Sequence, residues 1–181
     1  LWQSIFEKNN QTYQPPTLVL FRTATQSSCG TATSQIGPHY CPIDKTIYLD
    51  ETFFDELTNL LGAKGGDVAE AYVIAHEIGH HIQNELGIMD QVNQDNTDNN
   101  LSINLELQAD CFAGLWANSI KDEGVFLPGE INEAMDAAAA VGDDRIQKKT
   151  VGRIEPETWT HGSAEQRVEW FTKGYQSGTL T

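Results

Sequence analysis

The stretch AYVIAHEIGHHIQNELG, residues 71–87, has the apolar spacing of one amphipathic helix that ends at Gly87. His76 and His80 lie four positions apart, so a helix presents both imidazoles on one face, where they can bind the same metal ion. Glu77 points to the side of that ion and can take a proton from its water. This His-Glu-x-x-His pattern on a helix is the zinc-hydrolase motif. We therefore predict zinc at His76 and His80, with Glu77 as the general base.

A hydrolytic zinc ion normally has three protein ligands and keeps one position for water, so a third ligand is required. An extended motif of the metzincin type would place glycine at position 83 and histidine at position 86, but the chain has Gln83 and Leu86 there. Glu106, in NLELQADCFAG, is the preferred candidate, and Asp90 is the alternative. We predict one zinc ion per chain, with Glu106 as the third ligand.

Asp110 lies one helical turn after Glu106, so a helix places both carboxylates on one face. Leu105, Ala109 and Phe112 surround them, which favours a buried helix over a solvated acidic surface. If Glu106 binds the metal, Asp110 can accept the free N–H of a ligand histidine and fix its tautomer. Asp110 is therefore predicted to support the site from behind the ligands.

Attack of water on a carbonyl creates an oxyanion, and a hydrogen-bond donor from the protein usually helps the metal to stabilise it. The candidate donor is His161, in TWTHGS just before a predicted helix. The alternative for His161 is a turn histidine without a catalytic role. Tyr40 and Tyr48 are weaker candidates, because tyrosines near strands usually fill cores.

Two further histidines are not predicted to bind the metal. His81 follows His80 directly, so a helix turns its side chain by about 100 degrees from that of His80. We predict a structural or exposed role for His81. For His39, which is next to a proline, we predict a place in the cleft or on the surface.

The fold class predicted for residues 1–181 is a single α+β domain, mainly helical, with a small sheet. TLVLFR (17–22) and TIYLD (46–50) are predicted as the strands of a two-stranded sheet. TIYLD could offer its edge to an extended substrate, although pairing on both sides is equally compatible with its sequence. Asp50 is predicted to cap the helix that follows.

Helices are predicted for residues 1–9, 68–86, 102–120, 130–147 and 163–175. Asp67 and Glu70 have the spacing of a capping box, and so do Ser163 and Gln166 before the last helix. The polar stretch 89–102 is predicted as an exposed loop. Its Asp and Asn residues could offer oxygens to calcium, but it lacks the ligand positions and the central glycine of an EF-hand loop.

The composition narrows the choice of partners. The formal net charge is −15 and the pI is about 4.5, and no basic patch is visible, so we expect no binding to nucleic acid. No apolar run approaches the roughly 18 residues of a membrane span, so we expect no membrane contact by this segment. The chain begins at Leu1 rather than at methionine, and we expect a preceding segment with a signal or an anchor.

Cys29 and Cys41 flank a Gly- and Pro-containing loop, whereas Cys111 lies in a helical pattern. The spacing of Cys29 and Cys41 does not match a zinc knuckle. We predict a disulfide between Cys29 and Cys41, with two reduced thiols as the alternative. The bond would stabilise the fold by roughly 3 kcal/mol and would indicate an oxidising, extracytoplasmic location, either secreted or membrane-anchored.

Two longer stretches, AHEIGHHIQNELGI and LELQADCFAGLWAN, resemble the neutral zinc metallopeptidase family of bacteria, which belongs to the glutamate-zincins. The resemblance extends to CGTATSQIGPHYCPIDKTIYLDETFF and to THGSAEQRVEWFTKGYQSG. It implies a zincin-like fold, zinc held by His76, His80 and Glu106, and Glu77 as the base. It also implies, in many members, an N-terminal membrane segment and linker. The loop MDQVNQDNTDNN looks shorter and richer in Asn than in typical members, which affects the expected shape of the cleft.

The expected function is zinc-dependent hydrolysis of peptide bonds by an endopeptidase that acts on peptides or proteins. One alternative is a non-catalytic module that binds zinc or peptides, and another is a zinc hydrolase of a non-peptide amide. Glu77 favours an enzyme, because a structural zinc site needs no base and usually has a fourth protein ligand.

Overall fold

The computed structural model of the chain describes residues 1–93 and 99–180. Within them the fold is α+β and mainly helical, as predicted. The helices are α1 (Trp2–Lys8), α2 (Phe53–Asn59), α3 (Asp67–Glu85), α4 (Ile88–Asn93), α5 (Asn99–Ile120), α6 (Ile131–Ala140), α7 (Asp143–Thr150) and α8 (Ala164–Ser177). The strands are β1 (Thr17–Phe21), β2 (Ala24–Ser27), β3 (Gly30–Thr33), β4 (His39–Cys41) and β5 (Thr46–Asp50).

β5 is the central strand of a three-stranded sheet with the order β1-β5-β4. It runs parallel to β1 and antiparallel to β4, and all of its residues are buried. β2 and β3 form a separate antiparallel hairpin. The two predicted strands pair with each other, as β1 and β5, but the predicted number of strands was too small, and the suggestion that TIYLD offers a free edge was wrong. β4 was missed because a strand of three residues is too short to show an alternating pattern.

The predicted disulfide between Cys29 and Cys41 is present. Cys29 lies in the turn between β2 and β3 and is exposed, whereas Cys41 lies on β4 and is fully buried. The bond therefore ties the hairpin to the strand that packs beside α3.

The two predicted capping boxes have different outcomes. At α8 the box is present: Ser163 Oγ accepts from the Gln166 backbone N–H at 3.1 Å, and the Ser163 N–H donates to Gln166 Oε1 at 2.9 Å. At α3 the prediction was wrong, because Gly66 is the N-cap and no side chain caps it. Gly66 has φ 109°, which favours glycine, and Asp67 is already the first helical residue.

Asp50 does not cap α2, whose N-cap is Thr52. The Asp50 carboxylate instead accepts hydrogen bonds from the Thr52 backbone N–H at 2.8 Å and from the hydroxyls of Thr52 and Ser34. Burial favours the neutral acid, but these hydrogen bonds outweigh it and lower the pKa of Asp50 to about 2. Asp50 therefore joins the end of β5 to the segment after β3.

The helix predicted over 130–147 is divided into α6 and α7. The break falls at Gly142, where a Cβ atom would lie 2.3 Å from the backbone nitrogen of Ala164. Glycine is needed at this point because the start of α8 touches the junction between α6 and α7. The single-helix prediction followed apolar periodicity, which carries no information on that contact.

The polar stretch 89–102 is not one exposed loop. α4 continues to Asn93, and α5 begins at Asn99. Residues 94–98 of the stretch lie outside the described residues.

The main core lies between α3, α5, α6 and α8. α3 and α5 cross closely at Gly79 and Ala109, where a Cβ on Gly79 would lie 2.9 Å from the Ala109 Cα. Gly79 is three positions after His76, and Ala109 is three positions after Glu106, so this crossing brings the predicted ligands together. Among residues 1–93 and 99–180, no helix is long and apolar enough to cross a bilayer.

Candidate metal centre

His76 and His80 on α3 meet Glu106 on α5, and one ligand atom from each lies within 4.8 Å of the others. His76 Nε2 is 3.1 Å from Glu106 Oε2, and His80 Nε2 is 3.4 Å from Glu106 Oε1. Two ligands of a tetrahedral zinc ion, each at about 2.0–2.1 Å from the metal, are about 3.3 Å apart. The three side chains therefore fit a tetrahedral ion, and Asp90, the alternative ligand, is not in this group.

Each imidazole is oriented by a hydrogen bond on its far side. His76 Nδ1 lies 2.9 Å from Asp110 Oδ1, and His80 Nδ1 lies 2.9 Å from Gln83 Oε1. Both acceptors select the tautomer with hydrogen on Nδ1, which leaves the Nε2 lone pairs for a metal. Gln83 is fully buried and donates to the Leu105 carbonyl at 2.7 Å. The sequence indicated Asp110 for this role but not Gln83, which its position three residues after His80 could have suggested.

Asp110 is fully buried and is held by two residues that the sequence reasoning missed. Tyr72 donates its hydroxyl to Asp110 Oδ1 at 2.5 Å, and Arg167 Nε donates to Asp110 Oδ2 at 2.8 Å. Arg167 also donates through Nη2 to Oδ1 at 3.0 Å and through Nη1 to the Val141 carbonyl at 3.3 Å. The Asp110 carboxylate, which supports His76, is therefore itself held in place by Tyr72 on α3 and Arg167 on α8.

The sequence did carry a signal for Arg167. It lies three residues after Ala164 and four before Phe171, on the face of α8 that is buried. An arginine within an apolar stripe requires a buried partner, and Asp110 is that partner.

Opposite charges face each other at the centre in the chain without metal. Burial opposes ionisation of Glu106 and Asp110, yet the positive charges of His80, His76 and Arg167 lower the pKa of both carboxyls. Burial also opposes protonation of His76, but the Asp110 carboxylate and the hydrogen bonds to Asp110 and Glu106 raise its pKa to about 10. A divalent cation would therefore displace protons from the imidazoles and take over their role beside the carboxylates.

Glu77 lies next to these ligands and is only 6% exposed. Its Oε2 is buried without a hydrogen-bond partner among the described residues. A buried carboxylate oxygen without a partner is costly, which is typical of a group that functions with water or substrate. Two imidazoles, one carboxylate and a free base together fit zinc in a hydrolytic site.

A cavity of about 480 Å³ opens onto this group and has a volume typical of ligand sites. Its wall includes the three candidate ligands, Glu77, Arg167, His161 and His39. His39 stacks on Tyr48 with ring centroids 5.5 Å apart. The prediction that His39 lies in the cleft or on the surface is consistent with this position.

His161 is held at the cavity by Asp143, the first residue of α7. The Asp143 carboxylate accepts the backbone N–H groups of Thr160, His161 and Gly162 at 2.8, 2.7 and 3.0 Å, and its Oδ1 lies 3.1 Å from His161 Nδ1. Since Nδ1 is engaged, Nε2 is the ring atom left to contact a molecule in the cavity. The sequence reasoning singled out His161 but not Asp143.

The other candidates are engaged elsewhere. His81 is fully buried, with Nδ1 3.0 Å from the Tyr40 hydroxyl, while Nε2 is 2.7 Å from the Gln14 carbonyl. His81 is therefore structural and fastens the N-terminal segment and β4 to α3. Tyr48 donates its hydroxyl to Asp44 at 3.0 Å, so neither tyrosine hydroxyl is free to stabilise an oxyanion.

Comparison with known proteins shows the family of the chain. Residues 1–181 match the family described as "Putative neutral zinc metallopeptidase". "Uncharacterized protein YpfJ" of Escherichia coli K12 is 48% identical, over 98% of this chain and 63% of its own length. "Uncharacterized protein Rv2575" of Mycobacterium tuberculosis H37Rv is 49% identical, over 92% of this chain and 60% of its own length.

The chain thus spans less than two thirds of the length of these two relatives. No solved structure shows a significant match. The family match covers the site helices α3 and α5 as well as Arg167 on α8. The chain belongs to the neutral zinc metallopeptidase family.

Proposed function

We propose that this chain hydrolyses peptide bonds in peptide or protein substrates, with zinc held by His76, His80 and Glu106 and with Glu77 as the general base. One observation carries the proposal: the unpartnered, buried oxygen of Glu77 lies beside a three-ligand cluster on the wall of a cavity. A structural zinc site has no use for such a base and normally has four protein ligands. Among the described residues, the cluster contains three.

When bound at these ligands, zinc supplies a Lewis acid that polarises the substrate carbonyl and lowers the pKa of water toward about 7. Glu77 orients the attacking water, accepts its proton and passes that proton to the departing amine nitrogen. Asp110 and Gln83 keep both imidazoles in the required tautomer.

His161 is the proposed oxyanion donor. Its Nε2–H would donate to the carbonyl oxygen as negative charge develops there. Since Nδ1 must carry a hydrogen for Asp143, the donating form of His161 is the doubly protonated ring. Asp143 fixes the ring and compensates its positive charge.

We propose that the main chain of the substrate binds along the free edge of β4. β4 pairs with β5 on one side and with no strand on its other side among the described residues. Its residues His39 and Tyr40 line the cavity, together with Gly37 and Pro38 just before the strand. An extended peptide that adds to such an edge is held by main-chain hydrogen bonds. This mode suits an endopeptidase, because it needs no free chain end.

The setting that we propose is an oxidising compartment outside the cytoplasm. The disulfide between Cys29 and Cys41 supports it, because such bonds persist mainly in oxidising compartments. The net charge of −15 disfavours nucleic acid as a partner.

The test is metal analysis coupled to cleavage of an unstructured protein at neutral pH. We expect one zinc ion per chain, cleavage that stops when a chelator removes the zinc, and recovery when zinc is restored. Full zinc occupancy without cleavage of any unstructured protein or peptide would favour the non-catalytic alternative. Cleavage that persists after the zinc has been removed would contradict the proposal.

A further inference from the structure

Part of the cavity wall is apolar and lies toward the N-terminal half of α3. The side chains of this apolar wall are Ile36, Phe53, Val73, Val141 and Ile146. Val73 is four positions before Glu77 on α3, so the two side chains lie on the same face of the helix. Val73 is one turn closer to the N-terminus of α3 than Glu77. The apolar wall therefore begins directly beside the proposed base.

The members of the apolar wall form one surface. Phe53 and Val141 pack against the core cluster that contains Val73. The Phe53 ring lies 3.8 Å from the position of a Cβ on Gly37, next to Ile36. Ile146 lies on α7, one turn after Asp143, which holds His161. A substrate side chain in this region would thus be covered from several elements.

The apolar wall offers no free charge to a substrate. Arg167 lines the cavity, but its guanidinium is already bound by Asp110, Tyr72 and the Val141 carbonyl. Glu77 is reserved for the attacking water in the proposed mechanism. A charged side chain would therefore lose its water here without gaining a partner, whereas an apolar one gains from burial.

We propose that the apolar wall is the specificity pocket of the peptidase and that it takes one bulky apolar side chain, of the leucine, methionine or phenylalanine class, from a residue next to the scissile bond. This inference rests on the proposed function, since it assigns the substrate class of the same cavity. Selectivity at that one position follows from the wall, while β4 holds the main chain without regard to sequence.

The first experiment compares peptides that differ only at the residues flanking the cleaved bond. At one of these positions we expect kcat/KM for leucine or phenylalanine to exceed that for aspartate or lysine by roughly 10- to 100-fold. The same peptides are also titrated into zinc-loaded Glu77→Gln, which measures binding without hydrolysis. The same order of affinities is expected there.

The second experiment changes the pocket itself. Ile146→Arg places a cation at the apolar wall, so the preference should shift from leucine or phenylalanine to aspartate or glutamate at that position. Val151→Arg is the matched control, because Val151 follows α7, is 66% exposed and does not line the cavity. It should keep the wild-type preference. Zinc content and the denaturation midpoint check that both variants are folded.

The outcomes separate the two proposals. If the wild type cleaves nothing, but Glu77→Gln still binds apolar peptides preferentially, the peptidase function fails and the pocket stands. If peptides are cleaved but no flanking position shows an apolar preference, or if Ile146→Arg keeps the wild-type preference, the pocket assignment is wrong.

Discussion

Arg167 and Asp110 form a buried ion pair directly behind His76. Arg167 Nε donates to Asp110 Oδ2 at 2.8 Å, and Asp110 Oδ1 lies 2.9 Å from His76 Nδ1. The last helix of the chain therefore reaches the metal centre through α5. An ion pair in this position fixes the carboxylate that sets the tautomer of a ligand.

Arg167→Lys should weaken zinc binding about 10-fold or more, as is usual when a residue behind a ligand is changed. Lysine keeps the charge but cannot bond both Asp110 oxygens, Tyr72 and the Val141 carbonyl together. Zinc affinity is measured by competition with a chelator, and Arg153→Lys, at an exposed position, is the control. Wild-type zinc affinity in Arg167→Lys would show that the ion pair does not position the ligand.

Glu106→Ala should reduce zinc affinity by more than about 100-fold, because it removes a direct ligand and leaves two imidazoles. Glu165→Ala, at an exposed position in the first turn of α8, should bind zinc like the wild type. Metal content after dialysis against a weak chelator gives the comparison. Tight, stoichiometric zinc in Glu106→Ala would mean that the third ligand lies elsewhere.

Zinc affinity should rise with pH between about 6 and 8. In the metal-free chain the pKa of His76 is raised to about 10, whereas zinc binds the neutral ring, so binding releases a proton throughout this range. The affinity should gain about tenfold per pH unit for each proton released. Calorimetry in buffers of different ionisation enthalpy counts the protons. Binding without proton release would contradict the charge arrangement of the centre.

His161→Ala should lower kcat by about 10²- to 10³-fold, the usual effect of losing one oxyanion donor. Zinc content and the affinity of the zinc-loaded chain for an uncleaved peptide should stay near the wild-type values, because the hydrogen bonds of the His161 side chain go to Asp143 and Thr160. Steady-state kinetics with a peptide substrate distinguish the two effects. An unchanged kcat would mean that His161 is a turn residue without a catalytic role.

Much of this centre could be predicted because it depends on helical spacing. The positions of His76 and His80 fix one face of α3, and the pairing of Glu106 with Asp110 within an apolar helix points to a second buried face. What brings the two faces together is the contact of Gly79 with Ala109. Neither residue carries a chemical signal, so the sequence could not show that the helices cross at this point.

The missed features depend on contacts between distant segments. Gly142 lies between α6 and α7 and in close contact with the start of α8, and Asp143 then binds the backbone around His161. β4 has only three residues and is defined by its pairing with β5. Such features arise from tertiary contacts, which override local periodicity.

The most direct test of the central claim is a comparison of Glu77→Gln with Glu70→Gln, the same chemical change at an exposed position of the same helix. Zinc content and the rate of cleavage of an unstructured protein are measured for both variants. We predict zinc near the wild-type level in both, with hydrolysis lost only in Glu77→Gln, because that variant keeps the ligands but has no base. Wild-type cleavage by Glu77→Gln would contradict the assignment of the base and, with it, the proposed mechanism.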